Sequence, residues 1–372
     1  MGIRVLEVTI DDKGYGGIFA FIMNVMNNIN HDEFTLDVVT FEPLGKKEHI
    51  TKIESYGGKV YECSGKGNFA IKQFSICRKF FRVVKDNSYK IVHIHSDVAY
   101  KLLLYGLVAK VANAENIIVH SHSTGIEGNH KRLKNILQKL AKIILSKTNF
   151  KKAGCSDLAS RWMYSGAAYK HSILIKNGID IGRFAYRPDK YLPERKKLNI
   201  KDNEVVLGTV ARFSYQKYPE KLLSIFYDFV KIVPNSKLLW VGDGPLKKKI
   251  IDEAERLKIN NKIIFYGNTD HIESIYQAID IFIMTSRFEG LTLAGIEAQA
   301  SGIPCVCSDR LSDETKVTDE YFTVSIDDAN EKWINAIKKC SKLQKRNQTE
   351  NIIRNGYDIK NTVHQIEKLY KN

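Results

Sequence analysis

Short apolar runs alternate with longer stretches of helical period along the whole chain. IRVLEVTI is the first run. The glycine-rich turn DDKGYGG follows, and then IFAFIMNVMNNI, apolar at helical spacing. FTLDVVTF, KVYECS and KIVHIHS read as further strands, YKLLLYGLVAKVAN as a helix and ENIIVHSHST as a fifth strand. A basic amphipathic stretch then runs from Lys131 to Lys152. Strands alternating with helices predict a parallel sheet with right-handed crossovers.

The alternation restarts after KHSILIKNGIDIGRF. The charged stretch YRPDKYLPERKKLNIKDNE reads as a linker with a short helix. VVLGTVAR, SKLLWVG, KIIFYG, DIFIMTS and IPCVCSD read as strands. PEKLLSIFYDFVKIV, LKKKIIDEAERLKI, HIESIYQAI and LTLAGIEAQAS read as the helices between them, the first with Pro219 near its start. The expectation is an α/β chain of two Rossmann-like domains, residues 1–180 and 181–356, without a sequence repeat between them. One more helix, about 357–372, closes the chain. Two open sheets joined by a linker make a cleft, and ligands of such sheets bind beyond the carboxyl ends of the strands.

Composition narrows the class. The 372 residues are 44% hydrophobic and 27% charged, which is globular and long enough for two cores. No run of eighteen apolar residues predicts a membrane span, and MGIRVLEVTI has no signal-peptide layout. Cys63, Cys77, Cys155, Cys305, Cys307 and Cys340 contain no CxxC pair. Cys305 and Cys307 fall on one face of a strand and read as buried thiols, not zinc ligands. Free thiols point to a reducing cytoplasm. The net charge is +15, and residues 1–178 carry 26 Lys and Arg against 15 Asp and Glu. The first half therefore meets something anionic: a membrane surface, a phosphorylated ligand or nucleic acid.

Candidate chemistry sits where strands end. Gly16 and Gly17 open the first helix and let backbone N–H groups approach a phosphate or sugar, or else form a plain turn. The spacing is not GxGxxG, and no acidic residue closes strand two for a ribose, which disfavours a nicotinamide dehydrogenase. Arg212 ends VVLGTVA and Lys217 lies five residues on; they could clamp a diphosphate or be two solvated cations. GDGP, Gly242 to Pro245, reads as a tight turn without chemistry. In SRFEGLTLAGIEAQASGIP, Thr292 reads as an N-cap and Gly302 as the residue past the helix end. Glu289 then lies in the loop before the helix and Glu297 within it, each placed for one ligand across the helix start or simply solvated. His120 and His122 alternate in one strand, as do His93 and His95. Neither pair has a carboxylate partner at a familiar spacing, so a strand-end His122 in polar contact with substrate is preferred to a metal cluster.

Taken together these segments resemble the retaining nucleotide-sugar glycosyltransferases of family four, which have the GT-B fold. The resemblance covers nearly the whole chain and is nearest to bacterial capsule and exopolysaccharide transferases. FEGLTLAGIEAQASGIP resembles the E-x7-E segment, with Glu289 and Glu297 in its two positions. ARFSYQK resembles the Arg/Lys clamp, IKNGIDIGRF the interdomain NG-[IV]-D-x-x-x-F segment, and GYGGIFAFIMNVM the glycine loop. VHSHST places His122 at the strand-end histidine.

The resemblance implies that Glu297 holds the donor ribose. Glu289 with the amides of Gly290, Leu291 and Thr292 would hold the sugar and diphosphate, and Arg212 and Lys217 would neutralise the leaving group. Gly16 and Gly17 would meet the donor, and His122 its sugar. It also implies that the C-terminal helix returns to the N-terminal domain, and that no cofactor or metal is needed beyond the sugar nucleotide, a UDP-sugar. No DxD-like pair follows a strand, and Asp11 and Asp12 read as loop polarity. Thr292 and Gly295 stand where bulkier residues are common in the family and would set the sugar preference. The expected acceptor is a lipid-linked saccharide. The basic helix would place this cytoplasmic enzyme on the anionic inner face of the membrane. Nucleic acid is the poorer partner, for want of a reading helix or RNA-binding signature. Two rivals remain: a GT-B-fold UDP-N-acetylglucosamine 2-epimerase, which would want extra acid/base carboxylates in the first half, and a non-catalytic carbohydrate-binding protein.

Overall fold

The computed structural model describes residues 2–10, 14, 16–45, 47–128 and 130–371; Asp11 and Asp12 lie outside them. The chain divides into two compact units, Met1–Gly178 with Ile359–Asn372, and Ile179–Asp358.

The first unit is built on strands β1 (Ile3–Thr9), β2 (Phe34–Thr40), β3 (Val60–Glu62), β4 (Ile91–Ser96), β5 (Asn116–Ser121), β6 (Lys151–Gly154) and β7 (Ile173–Leu174). All pair in parallel, in the order β3-β2-β1-β4-β5-β6-β7. Alternation along β1 sends Leu6 and Val8 into one core and Val5 into another on the opposite face. A sheet covered on both faces needs apolar residues on both, which is why β1 reads as a nearly unbroken apolar run. The helix Ile359–Lys371 covers the Val5 face. Ile359, Val363, Ile366 and Tyr370 repeat every three to four residues and are buried there.

The second unit repeats the plan with β8 (Val205–Val210), β9 (Ser236–Val241), β10 (Ile263–Gly267), β11 (Ile281–Met284), β12 (Cys305–Ser308) and β13 (Tyr321–Val324), ordered β10-β9-β8-β11-β12-β13. In each sheet the chain leaves the first strand to one side and later returns to the other. The switch points are β1/β4 and β8/β11, where loops diverge and leave room for a ligand.

One expectation is corrected. The basic stretch is not one element: its helix is Lys131–Lys147, and Lys151 and Lys152 belong to β6. The helix also turns its apolar stripe outward. Leu133, Ile136, Leu137, Leu140, Ile143 and Ile144 are exposed, Leu133 at 59%, while Gln138, Ala141 and Leu145 face the core. Cys305 and Cys307 are buried free thiols on β12, and burial pushes Cys307 up to about 12.

Candidate active site

The loop after β8 carries Arg212 and Lys217 and is held by a second loop. Phe213 N–H donates to the carbonyl of Asp243 (3.0 Å), and Leu246 N–H to that of Phe213 (3.0 Å). Gly242 and Gly244 make this approach possible. Each has positive φ, and a Cβ would lie 2.3 Å from the Ala211 carbonyl oxygen at Gly242 and 2.6 Å from that of Phe213 at Gly244. GDGP is therefore a brace for the Arg212 loop. Arg212 itself is exposed and has no side-chain partner among the described residues.

A third loop, after β11, meets the first within the same unit. Arg287 N–H donates to the Gln216 carbonyl (2.7 Å), Gln216 Nε2 to the Phe288 carbonyl (3.1 Å), and Thr285 Oγ1 to the Tyr218 carbonyl (3.1 Å). The Arg287 guanidinium lies 3.3 Å from the centroid of the Tyr218 ring. Tyr218 is held at φ 50° where it starts the helix Pro219–Ile232, a conformation that costs about 1 kcal/mol or more and marks an over-determined loop. These ties place Lys217 Nζ 2.5 Å from Glu289 Oε1. Both side chains are largely covered, so the pair is worth more than a surface ion pair. The first and third loops thus form one charged constellation at the switch point.

Beyond it the helix Leu293–Ala300 begins as the sequence suggests. Thr292 caps it, its hydroxyl accepting from Gly295 N–H (3.4 Å), and Gly302 takes φ +70° past its end. Gly290, Leu291 and Thr292 are buried ahead of the first turn. Glu297 lies one turn in and accepts from the Tyr276 hydroxyl at 3.0 Å. Burial, only partly offset by that bond, pushes Glu297 up to about 7. Tyr276 was not visible as a partner, because the helix Ile272–Ala278 brings it from 21 positions away. The idea that Thr292 and Gly295 make room for a sugar is corrected. A Cβ at Gly295 would lie 2.8 Å from Thr292 Cγ2 and 3.1 Å from Thr315 Cγ2, so protein already fills that space. Thr292 spends its hydroxyl on the cap.

In the first unit, Gly16 and Gly17 are exposed at the start of the helix Gly17–Met26, and a Cβ on Gly17 would meet nothing within 4 Å. Four histidines line the ends of β4 and β5. His95 Nδ1 lies 2.9 Å from His122 Nε2, and His93 Nε2 lies 3.2 Å from His120 Nδ1. No carboxylate stands at a familiar spacing from either pair in sequence, but the fold supplies one. Glu7 of β1 accepts from His95 Nε2 at 2.7 Å and from the hydroxyl of Tyr370, whose oxygen is 2.9 Å from His93 Nδ1. Strand pairing makes these contacts: Glu7 is in register with His93, and His95 with His120. Sequence spacing could not show it, since Glu7 and His95 are 88 positions apart.

Ring nitrogens of His93, His95 and His120 fall within 4.8 Å of one another, close enough to share an ion. Every one of them except His120 Nε2 is already hydrogen-bonded, so the cluster is described as a hydrogen-bond network. His122 is half-buried at its outer end. Burial first, then the charges of neighbouring imidazoles, pushes His120 and His122 down, and His95 down to about 4.

Comparison with known proteins adds to this geometry. Residues 192–359 match the family Glycosyl transferases group 1, and residues 19–153 match Glycosyl transferase 4-like. The two switch-point sheets and these matches support a glycosyltransferase of GT-B fold. EpsF of Bacillus subtilis (strain 168), a glycosyltransferase by name, is 26% identical over 378 residues, covering 99% of this chain and 96% of EpsF. The UDP-Gal:alpha-D-GlcNAc-diphosphoundecaprenol alpha-1,3-galactosyltransferase of Escherichia coli is 25% identical over 313 residues, covering 81% and 80%. Anabaena Alr3699/HepE, solved in complex with UDP and glucose, superposes with a TM-score of 0.78 at 18% identity over 100% of both chains, a likeness of fold.

Proposed function

We propose that this protein is a retaining glycosyltransferase that moves a hexose or N-acetylhexosamine from a UDP-sugar to a lipid-linked saccharide, in exopolysaccharide or capsule synthesis. The observation that carries the reading is the covered Lys217–Glu289 pair beside exposed Arg212, directly ahead of a capped helix start. Departure of UDP develops negative charge on the diphosphate. Cations and helix-start amides fixed in advance stabilise that charge most in the transition state. Arg212 and Lys217 take the diphosphate, with Lys217 released from Glu289 as the donor enters. Glu289 then takes the sugar hydroxyls, with the amides of Gly290, Leu291 and Thr292 alongside. Glu297 accepts the ribose hydroxyls, and Gly16 and Gly17 leave space for the donor.

Retention follows if the acceptor hydroxyl arrives on the face the diphosphate leaves. The C–O bond to the diphosphate breaks, the new glycosidic bond forms, and the departing phosphate oxygen takes the acceptor's proton. No protein nucleophile is required, and His122 contacts the sugar. The donor and acceptor classes draw on the printed activities of the Escherichia coli relative and the ligands of the Anabaena structure. The exopolysaccharide setting draws on EpsF. The outward apolar stripe of Lys131–Lys147, flanked by lysines, supports docking on the inner face of the membrane. Among the described residues no helix is long and apolar enough to cross one.

The test is release of UDP from UDP-glucose, UDP-galactose and UDP-N-acetylglucosamine in the presence of EDTA, with membrane lipid extract as acceptor. Acceptor-dependent release with retained anomeric configuration is expected. Isomerised sugar nucleotide instead of transfer would assign an epimerase, and binding without turnover a carbohydrate-binding protein. Loss of all activity in EDTA would overturn metal independence.

A further inference from the structure

The hydrogen bonds of the histidine cluster fix where each proton sits. Burial alone would raise Glu7, but His93 and His95 outweigh it and hold the carboxyl well below the usual range, so it is ionised and can only accept. His95 Nε2, 2.7 Å away, is therefore the protonated nitrogen of that ring. At pH 7 the ring is neutral and has one proton, so His95 Nδ1 is bare and must accept from His122 Nε2 at 2.9 Å. His122 is neutral too and has spent its proton on that bond. Its Nδ1 is left as a lone pair at the end of β5.

On the other arm Tyr370 donates to Glu7, so the Tyr370 oxygen accepts from His93 Nδ1, and His93 Nε2 lies 3.2 Å from His120 Nδ1. It ends blind, at a buried His120 Nε2 without a partner. Phe21 packs against His95, His120 and His122 with ring centroids 5.3–5.7 Å away, an apolar wall in place of polar partners.

We propose that Glu7, acting through His95, fixes His122 as a hydrogen-bond acceptor at Nδ1, so that the substrate group it selects is a hydroxyl and not a carbonyl or ring oxygen. Glu7 and His95 are positioning residues in this scheme, which rests on the reading of His122 as a substrate contact. A histidine open to water would exchange tautomers and could take either kind of group. A histidine locked by a carboxylate two rings away takes only a donor.

The test is tautomer assignment by long-range 1H–15N correlation on the full chain labelled with 15N-histidine, at pH 7. His122 protonated at Nε2 and bare at Nδ1 is expected; a proton on Nδ1 overturns the proposal. Glu7→Gln removes the obligate acceptor and can turn an amide N–H toward His95. Its His122 should move to the Nδ1–H form, or to a mixture, with kcat/KM for the best of UDP-glucose, UDP-galactose and UDP-N-acetylglucosamine falling about 10- to 100-fold. A shifted tautomer with unchanged kcat/KM also overturns it. Should Glu7→Gln not fold, the wild-type spectrum alone decides the tautomer. Failure of the transferase reading looks different: the expected His122 spectrum with no turnover of any sugar nucleotide.

Discussion

Glu7 and Glu297 are both carboxylates set among apolar residues of a Rossmann-like unit, yet they titrate in opposite directions. Glu7 drops well below the ordinary range, whereas Glu297 rises to about 7. Burial pushes both up. The difference lies in the company: Glu7 faces His93, His95 and Tyr370, while Glu297 has one neutral donor, Tyr276. Charge inside a protein is thus set by how many donors and cations the fold delivers, more than by depth. Glu7 is complete as it stands. Glu297 has the Tyr276 hydroxyl alone, and in the proposed reading a ribose supplies the rest.

The largest effect should come where a cation is removed from the second unit. Lys217→Ala should lower kcat by about 10²–10³ in a UDP-release assay while the fold persists, the loss typical of one fixed charge stabiliser. Activity within threefold of wild type would remove the β8 loop from the site. Next comes the completed carboxylate. Glu7→Ala leaves the His95 N–H and the Tyr370 O–H buried without an acceptor and should cost about 3 kcal/mol in urea unfolding. A cost below about 1 kcal/mol would mean that the network is wet. The acid side of the stability curve has a definite sign. Unfolded His95 takes up a proton near its ordinary 6.5, while the folded ring resists until about 4, so stability falls as pH drops through that window. Glu297 works oppositely in the free protein: its raised value favours the fold below the ordinary 4.5, and that contribution is lost as pH rises through about 7.

A smaller effect tests the incomplete carboxylate. If Glu297 must be ionised to accept ribose hydroxyls, UDP affinity by calorimetry should fall about tenfold from pH 8 to pH 6, and Glu297→Gln should flatten the slope. A slope unchanged in that variant would assign the titration elsewhere. The smallest concerns the outer face of the first unit. Leu140→Ser, at a position 56% exposed, should weaken flotation with anionic vesicles about fivefold without changing stability. No vesicle binding by the wild type would remove the docking surface altogether.

Strands and the E-x7-E helix were legible because they are local. Apolar runs mark β1, β4, β8 and β11, and Thr292 with Gly302 brackets a helix within one short segment. The β13 strand and the helix Phe69–Asp86 were not anticipated; the helix buries only a narrow stripe, Ile76, Phe80 and Val84, between polar positions. The contacts that decide chemistry were the least legible. Lys217 meets Glu289 across 72 positions through two loops tied to each other, and Glu7 meets His95 across 88 through strand register; no spacing rule encodes either. Gly295 misled for the same reason: its missing side chain is answered by Thr315, twenty positions on, and not by a ligand.

The Tyr370–Glu7 hydrogen bond joins positions 363 apart, and the helix that carries Tyr370 forms part of the core beneath β1. That separation has a consequence during synthesis. A ribosome moving from N- to C-terminus completes the sequence of Ile179–Asp358 while β1 to β7 still lack one covering helix. The later half of the gene is therefore expected to yield the earlier finished fold, with an unsealed sheet waiting for the last helical segment.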